Sequence, residues 1–336
     1  MKKLKKIIAS ILAMTILITN VHATTLTAIK DDAWTIGEVM KVEDGEETTT
    51  HIRKLLIDDT RPAYCVDYGA HIKTGTVTVN EVDLITYFSR GISAQAAQEL
   101  SKKLNEYLYF GYGSEGRTSE KYFLATQKLV WETVNSTGFY RSTDYTSRVG
   151  ETNFSTVGYK IKNGSDISIS EEIDAINESI SEYYIKPSMC SLQSKLELGV
   201  EETKTFTDSN GVLSKYTVEC DEGLVCTVSE NTLTITATAA GKNKMVRFNK
   251  NGDGTPLVLY ENPTPDSDAP DKENQKVIVG GEVGPVSCSF GIDTYQNVQT
   301  GSIIKSIVII LGLTLTIIAS AISLTILFAN RNKSIS

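Results

Sequence analysis

The sequence predicts an α+β domain, a strand framework with inserted helices, followed by an all-β sandwich stalk and a C-terminal transmembrane helix. Three observations predict it. Apolar residues recur at helical spacing in three stretches between Ser93 and Tyr184. After Pro187 that periodicity gives way to short β-rich runs separated by turn residues. Finally, Ile307 to Ala329 is an almost uninterrupted apolar stretch without a charge, long enough to span a bilayer.

The expected elements follow in chain order. Lys2, Lys3, Lys5 and Lys6 form a basic leader, Ile7 to Ile18 an apolar segment, and Val21-His22-Ala23 a small-x-small site. This layout predicts a secretory signal peptide over 1–23, cleaved after Ala23, the alternative being an uncleaved N-terminal anchor. Thr48 to Ile57 and Tyr64 to Tyr68 read as strands, broken by Asp58-Asp59-Thr60-Arg61-Pro62. Ser93 reads as the N-cap of a helix to about Tyr109, with Ala96, Ala97, Leu100, Leu104 and Leu108 on one side. A Gly/Tyr loop over 111–116 lacks the Gly-Lys-Ser/Thr of a phosphate cradle and leads into a second helix from Ser119. A third helix, Ser170 to about Tyr184, carries Ile173, Ile176 and Ile180.

Beyond Pro187 the runs Lys215–Val218, Val225–Val228, Thr232–Thr238 and Pro256–Tyr260 predict an antiparallel sandwich of immunoglobulin-like size. Residues 261–275 are rich in Pro and Asp and read as a long exposed loop. The expected divisions are a signal peptide over 1–23, a first domain over 24–188, a β-sandwich over 189–293, a linker over 294–306, a transmembrane helix over 307–329 and a basic cytoplasmic tail over 330–336, with Arg331 and Lys333 as a positive-inside stop.

Composition bounds the partners. With 40% hydrophobic and 22% charged residues the chain can build ordinary folded domains. The net charge of −8 understates the acidity of the body, because the lysines of the leader and Lys305, Arg331 and Lys333 have no offsetting acids around them. An acidic surface repels nucleic acid and anionic membranes, so no nucleic-acid partner is expected. Histidines are few and no Cys-x-x-Cys occurs, so neither a metal nor another cofactor is expected.

Cys65 and Gln127 carry the chemistry. The second helix places Phe123, Leu124, Val130, Trp131 and Val134 on one apolar stripe, and Gln127 lies in its middle. A neutral amide on a core-facing surface must find partners or cost about 1–3 kcal/mol. One solution is to consume it chemically. The aromatic-Cys motif Tyr64-Cys65 and the later Thr126-Gln127-Lys128-Leu129-Val130-Trp131 together resemble the thioester domains of Gram-positive surface adhesins, of the Thr-Gln-x-Ala type. The resemblance covers roughly residues 30–190 and implies that the 24–188 region is a thioester domain, in which the Cys65 thiol and the Gln127 side chain condense with loss of ammonia. The family Ala two residues after the Gln is Leu129 here, which alters local packing but not the reacting atoms.

A thioester is a good acyl donor that must be shielded from water until an amine arrives. Tyr64, Tyr68 and Trp131 are the candidate shield, each with core packing as its ordinary alternative. The resemblance implies an adhesin rather than an enzyme, joined covalently to a lysine of a host surface or matrix protein. Two alternatives stand beside it: a non-covalent adhesin or stalk with an inert Cys65, and a secreted cysteine hydrolase that would need His51 or His71 as its base. Asn297-Val298-Gln299-Thr300-Gly301 resembles a sortase sorting signal, which implies cleavage between Thr300 and Gly301 and attachment to cell-wall peptidoglycan, against a plain membrane tether through the C-terminal helix.

Five cysteines in an exported chain leave one over. The favoured pairing joins Cys220 to Cys226 across an Asp221-Glu222-Gly223 hairpin and Cys190 to Cys288 between first and last strands of the sandwich, the alternative being four reduced, buried thiols. Either way Cys65 has no cysteine partner in its own domain.

Overall fold

A computed structural model describes residues 23–29, 38–43, 46–51, 54–68, 75–114, 116–142, 158–161, 166–263 and 275–296, together with 309–311, 313–318, 320 and 322–323. The expected signal peptide up to His22, the 264–274 stretch, the expected sorting motif with Thr300 and Gly301, and the expected tail lie outside the described residues. The chain divides into two compact units: 1–185 with 251–286, and 186–250 with 287–336.

The first unit is built on a seven-stranded sheet. Its strands are β1 (Thr25–Ile29), β4 (Lys54–Ile57), β5 (Arg61–Cys65), β6 (Gly75–Thr78), β7 (Asn80–Val82), β16 (Asp253–Glu261) and β17 (Lys276–Val283), in the order β6-β1-β4-β5-β17-β16-β7. A smaller sheet has the order β3-β2-β8-β9, from β2 (Glu38–Glu43), β3 (Glu46–His51), β8 (Gly158–Ile161) and β9 (Asp166–Ile167). β4 and β5 form a hairpin whose turn places Asp58 and Asp59 at φ 48° and 57°, a conformation that aspartate tolerates better than most residues. Asp58 is fixed there by accepting from the Thr25 N–H at 3.0 Å and from Arg61 at 3.1 Å. The strand therefore begins at Arg61, earlier than expected, and ends at Cys65, with Val66 to Tyr68 bending away.

Among the described residues of this unit are five helices: α1 (Leu84–Phe88), α2 (Ala94–Phe110), α3 (Glu120–Ser136), α4 (Phe139–Ser142) and α5 (Ser170–Tyr183). Ser93 and Ser119 cap α2 and α3, accepting from the N–H groups of Ala96 and Tyr122. Phe123, Leu124, Val130 and Val134 of α3 and Leu100, Leu104 and Leu108 of α2 are buried together over one face of the large sheet. Gly281, at φ 136°, lets α2 lie directly on β17, because a Cβ there would stand 2.5 Å from the Tyr109 nitrogen.

The second unit packs two sheets. One has the order β10-β18-β15-β12, from β10 (Leu196–Gly199), β12 (Thr217–Cys220), β15 (Gly241–Lys250) and β18 (Val286–Tyr295). The other has the order β11-β14-β13, from β11 (Thr203–Thr207), β13 (Leu224–Ser229) and β14 (Thr232–Ala237). Phe206 of the smaller sheet meets Phe290 of the larger at 5.9 Å, and Phe248 stacks on Phe290 at 6.0 Å. Asp208, itself buried, gathers the N–H groups of Ser188, Asn210, Val212 and Leu213 at 2.7–3.2 Å.

Cys190 is bonded to Cys288 and Cys220 to Cys226, with Cα separations of 5.9 and 6.3 Å. Their structural settings differ from the expected ones. Cys190 sits on a 3₁₀ turn over Ser188–Ser191, ahead of β10, while Cys288 lies on β18. Cys220 and Cys226 do not face each other across a hairpin, because β12 pairs with β15 and β13 with β14, so their bond ties one sheet to the other.

One further expectation is corrected. Residues 251–286 do not belong to the sandwich: β16 and β17, including the Pro256–Tyr260 run, complete the large sheet of the first unit. Because β-rich texture is the same whichever sheet a strand joins, local pattern could not assign them. At the C-terminal end, residues 309–311, 313–318, 320 and 322–323 are helical and exposed. Among the described residues no helix is long and apolar enough to cross a membrane, and the rest of the expected 307–329 span lies outside them.

Candidate functional site

Strand β5 presents Cys65 in an unusual position. On one side it pairs with β17, Cys65 opposite Val277 and Tyr64 opposite Ile278, and the Val66 N–H donates to the Lys276 carbonyl at 3.0 Å. In an antiparallel ladder hydrogen-bonded pairs alternate, so Cys65 turns its own N–H and C=O to the other edge. There the described pairing with β4 ends at Leu55 opposite Ala63, two residues short of Cys65. The Gln127 carboxamide takes both groups. The Cys65 N–H donates to Gln127 Oε1 at 2.8 Å, and Gln127 Nε2 donates to the Cys65 carbonyl at 2.9 Å.

Helix α3 delivers that carboxamide. Gln127 is 4% exposed and Cys65 7%, so the pair is shut away from solvent. Thr126, wholly buried, donates back to the Tyr122 carbonyl at 2.8 Å and accepts from the Tyr112 N–H at 3.1 Å, tying the preceding loop to the same helical turn.

Cys65 is a free thiol. Burial pushes its pKa well above the ordinary value, the nearby charge of Asp67 pushes it the same way, and a hydrogen bond from the Gln275 side chain pulls against both. Asp67 is completely buried, accepts from the Tyr87 hydroxyl and from the Lys276 N–H at 3.0 Å, and lies 3.6 Å from Lys276 Nζ.

The three candidate shielding residues are placed differently. Trp131, one turn beyond Gln127, packs against both buried clusters of the unit, and its ring meets Tyr68 edge-on at 5.1 Å. Tyr64 alternates to the opposite face from Cys65: it stacks on Phe123 at 5.1 Å in the helix-side cluster, whereas Cys65 packs among Leu26, Leu55, Ala63 and Val277. Its hydroxyl proton is held far more tightly than usual by burial. His51 lies on β3 and His71 outside the described residues. Among the described residues no cluster of His, Cys, Asp and Glu could hold a metal ion.

Residues 62–165, which contain both Cys65 and Gln127, match the family model of the thioester domain. That match spans about a third of the chain. The resemblance to the thioester domains of Gram-positive surface adhesins, read from two short motifs, therefore holds. Three solved structures are similar over most of this chain. The thioester domain of the Staphylococcus aureus TIE protein is 21% identical with a TM-score of 0.48, covering 82% of this chain and 100% of that one. The Bacillus anthracis TIE protein is 11% identical with a TM-score of 0.36, covering 81% of this chain and 49% of its own. The thioester domain of the Enterococcus faecium TIE86 protein is 14% identical with a TM-score of 0.27, covering 82% and 98%. No characterised protein sequence matches the chain significantly.

Sequence reasoning missed Gln275, Asp67 and Lys276. Asp67 stands two residues beyond Cys65 in the quoted motif, which was a signal. Gln275 and Lys276 reach the thioester domain through a strand whose partner no local pattern announces.

Proposed function

We propose that this chain is a cell-surface adhesin in which Cys65 and Gln127 condense to an internal thioester, and that the thioester acylates a lysine amine of a host surface or matrix protein. The observation that carries this reading is the paired hydrogen bonding of the Gln127 carboxamide to the Cys65 backbone, inside a thioester domain. The Cys65 N–H already points at Gln127 Oε1, where negative charge develops when a nucleophile adds to Cδ. The thiol adds to Cδ, the C–N bond breaks, and nitrogen leaves as ammonia with the thiol's proton. An arriving amine then adds to the same carbon, the C–S bond breaks, and the amine's proton ends on sulfur. The products are an amide on Gln127 and a free Cys65 thiol.

The high pKa of Cys65 fits this role better than hydrolysis. A hydrolase nucleophile needs a thiolate, whereas a buried, protonated thiol reacts only with a carbonyl held against it. Holding the two in place supplies roughly 7–11 kcal/mol of barrier reduction in well-oriented cases. The chain reacts once and is not regenerated, so it is a reagent rather than an enzyme. Delivery to the surface rests on the signal peptide, on a sortase joining Thr300 to peptidoglycan after cutting before Gly301, and on a membrane segment over 307–329 that holds the chain until then.

Intact mass tests the central step. The chain from Thr24 to Thr300 should be lighter than its sequence mass by one ammonia, apart from the hydrogens lost to two disulfides, and Cys65→Ala should restore the difference. Equal agreement of both proteins with their sequence masses would sink the thioester. Methylamine should add to Gln127 and release one titratable thiol. A hydrolase would show a reactive thiol from the start, and an inert site only on unfolding.

A further inference from the structure

The unreacted site, with the nitrogen of Gln127 still in place, is chemically the adduct that ammonia would give with the thioester. Its Nε2 therefore marks where the nitrogen of an attacking amine comes to rest. One acceptor defines that place. Nε2 donates to the Cys65 backbone carbonyl at 2.9 Å, while Oε1 is fixed by the Cys65 N–H at 2.8 Å. Exchanging the two ends of the carboxamide would set donor against donor and acceptor against acceptor, so the orientation is determined.

Loss of ammonia changes the surroundings of that carbonyl. Cys65 turns its C=O away from β17, and the described pairing with β4 ends two residues short of it. Among the described residues Gln127 Nε2 is its one donor. Once that nitrogen has left, a carbonyl in a residue 7% exposed has no donor and carries the penalty of a buried, unpaired acceptor. A nucleophile that brings a hydrogen to this point relieves the penalty as it adds, and one that does not leaves it standing.

Nucleophiles divide on this requirement. A neutral primary amine carries two protons on nitrogen. As the nitrogen adds to Gln127 Cδ and the C–S bond breaks, one proton passes to sulfur and the other stays on nitrogen, where it can be donated to the Cys65 carbonyl. No further reactant is needed. An alcohol, a thiol or a secondary amine has a single proton on the attacking atom; given to sulfur, it leaves nothing for the carbonyl. Water has two, but the burial of Cys65 and Gln127 keeps bulk solvent away.

We propose that the backbone carbonyl of Cys65 is the seat of the incoming amine nitrogen, and that it selects primary amines, the lysine side chain among them, over hydroxyls, thiols and secondary amines. The proposal rests on the thioester reading above, and its test reports on the two separately.

Intact mass of the chain from Thr24 to Thr300 first establishes the loss of ammonia. A chain that keeps its ammonia fails the thioester reading, and this proposal with it, before any amine is added. Ethylamine, isopropylamine and dimethylamine are then compared at equal concentrations of the neutral amine, by mass gain and thiol release. Each rate is divided by that of the same amine with a free alkyl thioester in the same buffer. Ethylamine and dimethylamine are isomers that differ in their number of N–H bonds, and isopropylamine is bulkier than either but keeps both. The normalised rate for dimethylamine should fall at least about fivefold below those for ethylamine and isopropylamine, because the seat is left unpaired. Any smaller deficit against isopropylamine would mean that the site sorts nucleophiles by size or not at all, and would overturn the proposal.

Discussion

The two units of this chain use cysteine in opposite ways. In the second, Cys190–Cys288 and Cys220–Cys226 close covalent loops, and the buried Asp208 spends its carboxylate on four backbone N–H groups. In the first, the only cysteine among the described residues is a free thiol, and buried polar atoms near it, Trp131 Nε1 and Gln275 Oε1, have no partners. A unit whose task is to persist satisfies its interior. The unit in which we propose the thioester keeps groups uncommitted, held in place by the rest of the fold.

The largest expected effect separates these roles at one stroke. Cys65→Ala and Gln127→Ala should both abolish amine incorporation completely, read by mass after methylamine, while neither disulfide is touched. The two differ in stability. Cys65→Ala keeps the backbone groups that hold Gln127, whereas Gln127→Ala leaves a buried N–H and C=O of Cys65 unpartnered and should cost about 2–3 kcal/mol in denaturant unfolding. Equal losses in the two variants would mean that the thiol, not the carboxamide, holds this corner of the sheet.

Replacing Cys190 and Cys288 by Ser should lower the stability of the second unit by about 4–5 kcal/mol, because the bond spans 98 residues of chain. The ammonia loss in the first unit should remain. Asp208→Asn should cost about 2–3 kcal/mol. Burial opposes the Asp208 charge, but the N–H groups of Ser188, Val212 and Asn210 outweigh it and leave the pKa below 3.8. A carboxylate depressed in the folded state contributes stability above its unfolded value and loses it as pH falls through the folded one. Acid unfolding of the second unit should therefore begin below pH 3.8 and move upward in Asp208→Asn. Smallest is the removal of Cys220–Cys226, whose ends are six residues apart, at about 2 kcal/mol by the same loop argument.

How much of this was legible in the sequence depended on range. The helix caps Ser93 and Ser119, and the stripe that singles out Gln127, are local signals, and the structure places α2 and α3 within a residue or so of them. The Cys65–Gln127 meeting was readable only because two motifs together resembled a family. The role of β17 was not readable. Its residues are as β-prone as those of the sandwich strands around them in sequence, and its partner, β5, is decided by packing against α2 through Gly281. For the same reason the sequence alone groups Tyr64 with Trp131 as a shield: strand alternation, which sends it to the other face, matters only once the strand's limits are known.

The detour of the chain through the second unit also sets a clock. Asp67 and the Lys276 N–H that it holds are 209 residues apart in sequence, and everything from Lys186 to Lys250 is synthesised between them. A chain delivered amino end first has Cys65 and Gln127 long before it has Gln275 and β17, so the wall that encloses the thiol is its last part to arrive. Chains truncated before Gln275 should therefore retain their ammonia, as a mass measurement on the isolated fragments would reveal. The reactive bond would then be armed only after nearly the whole chain has been made, away from the amines of the cell that makes it.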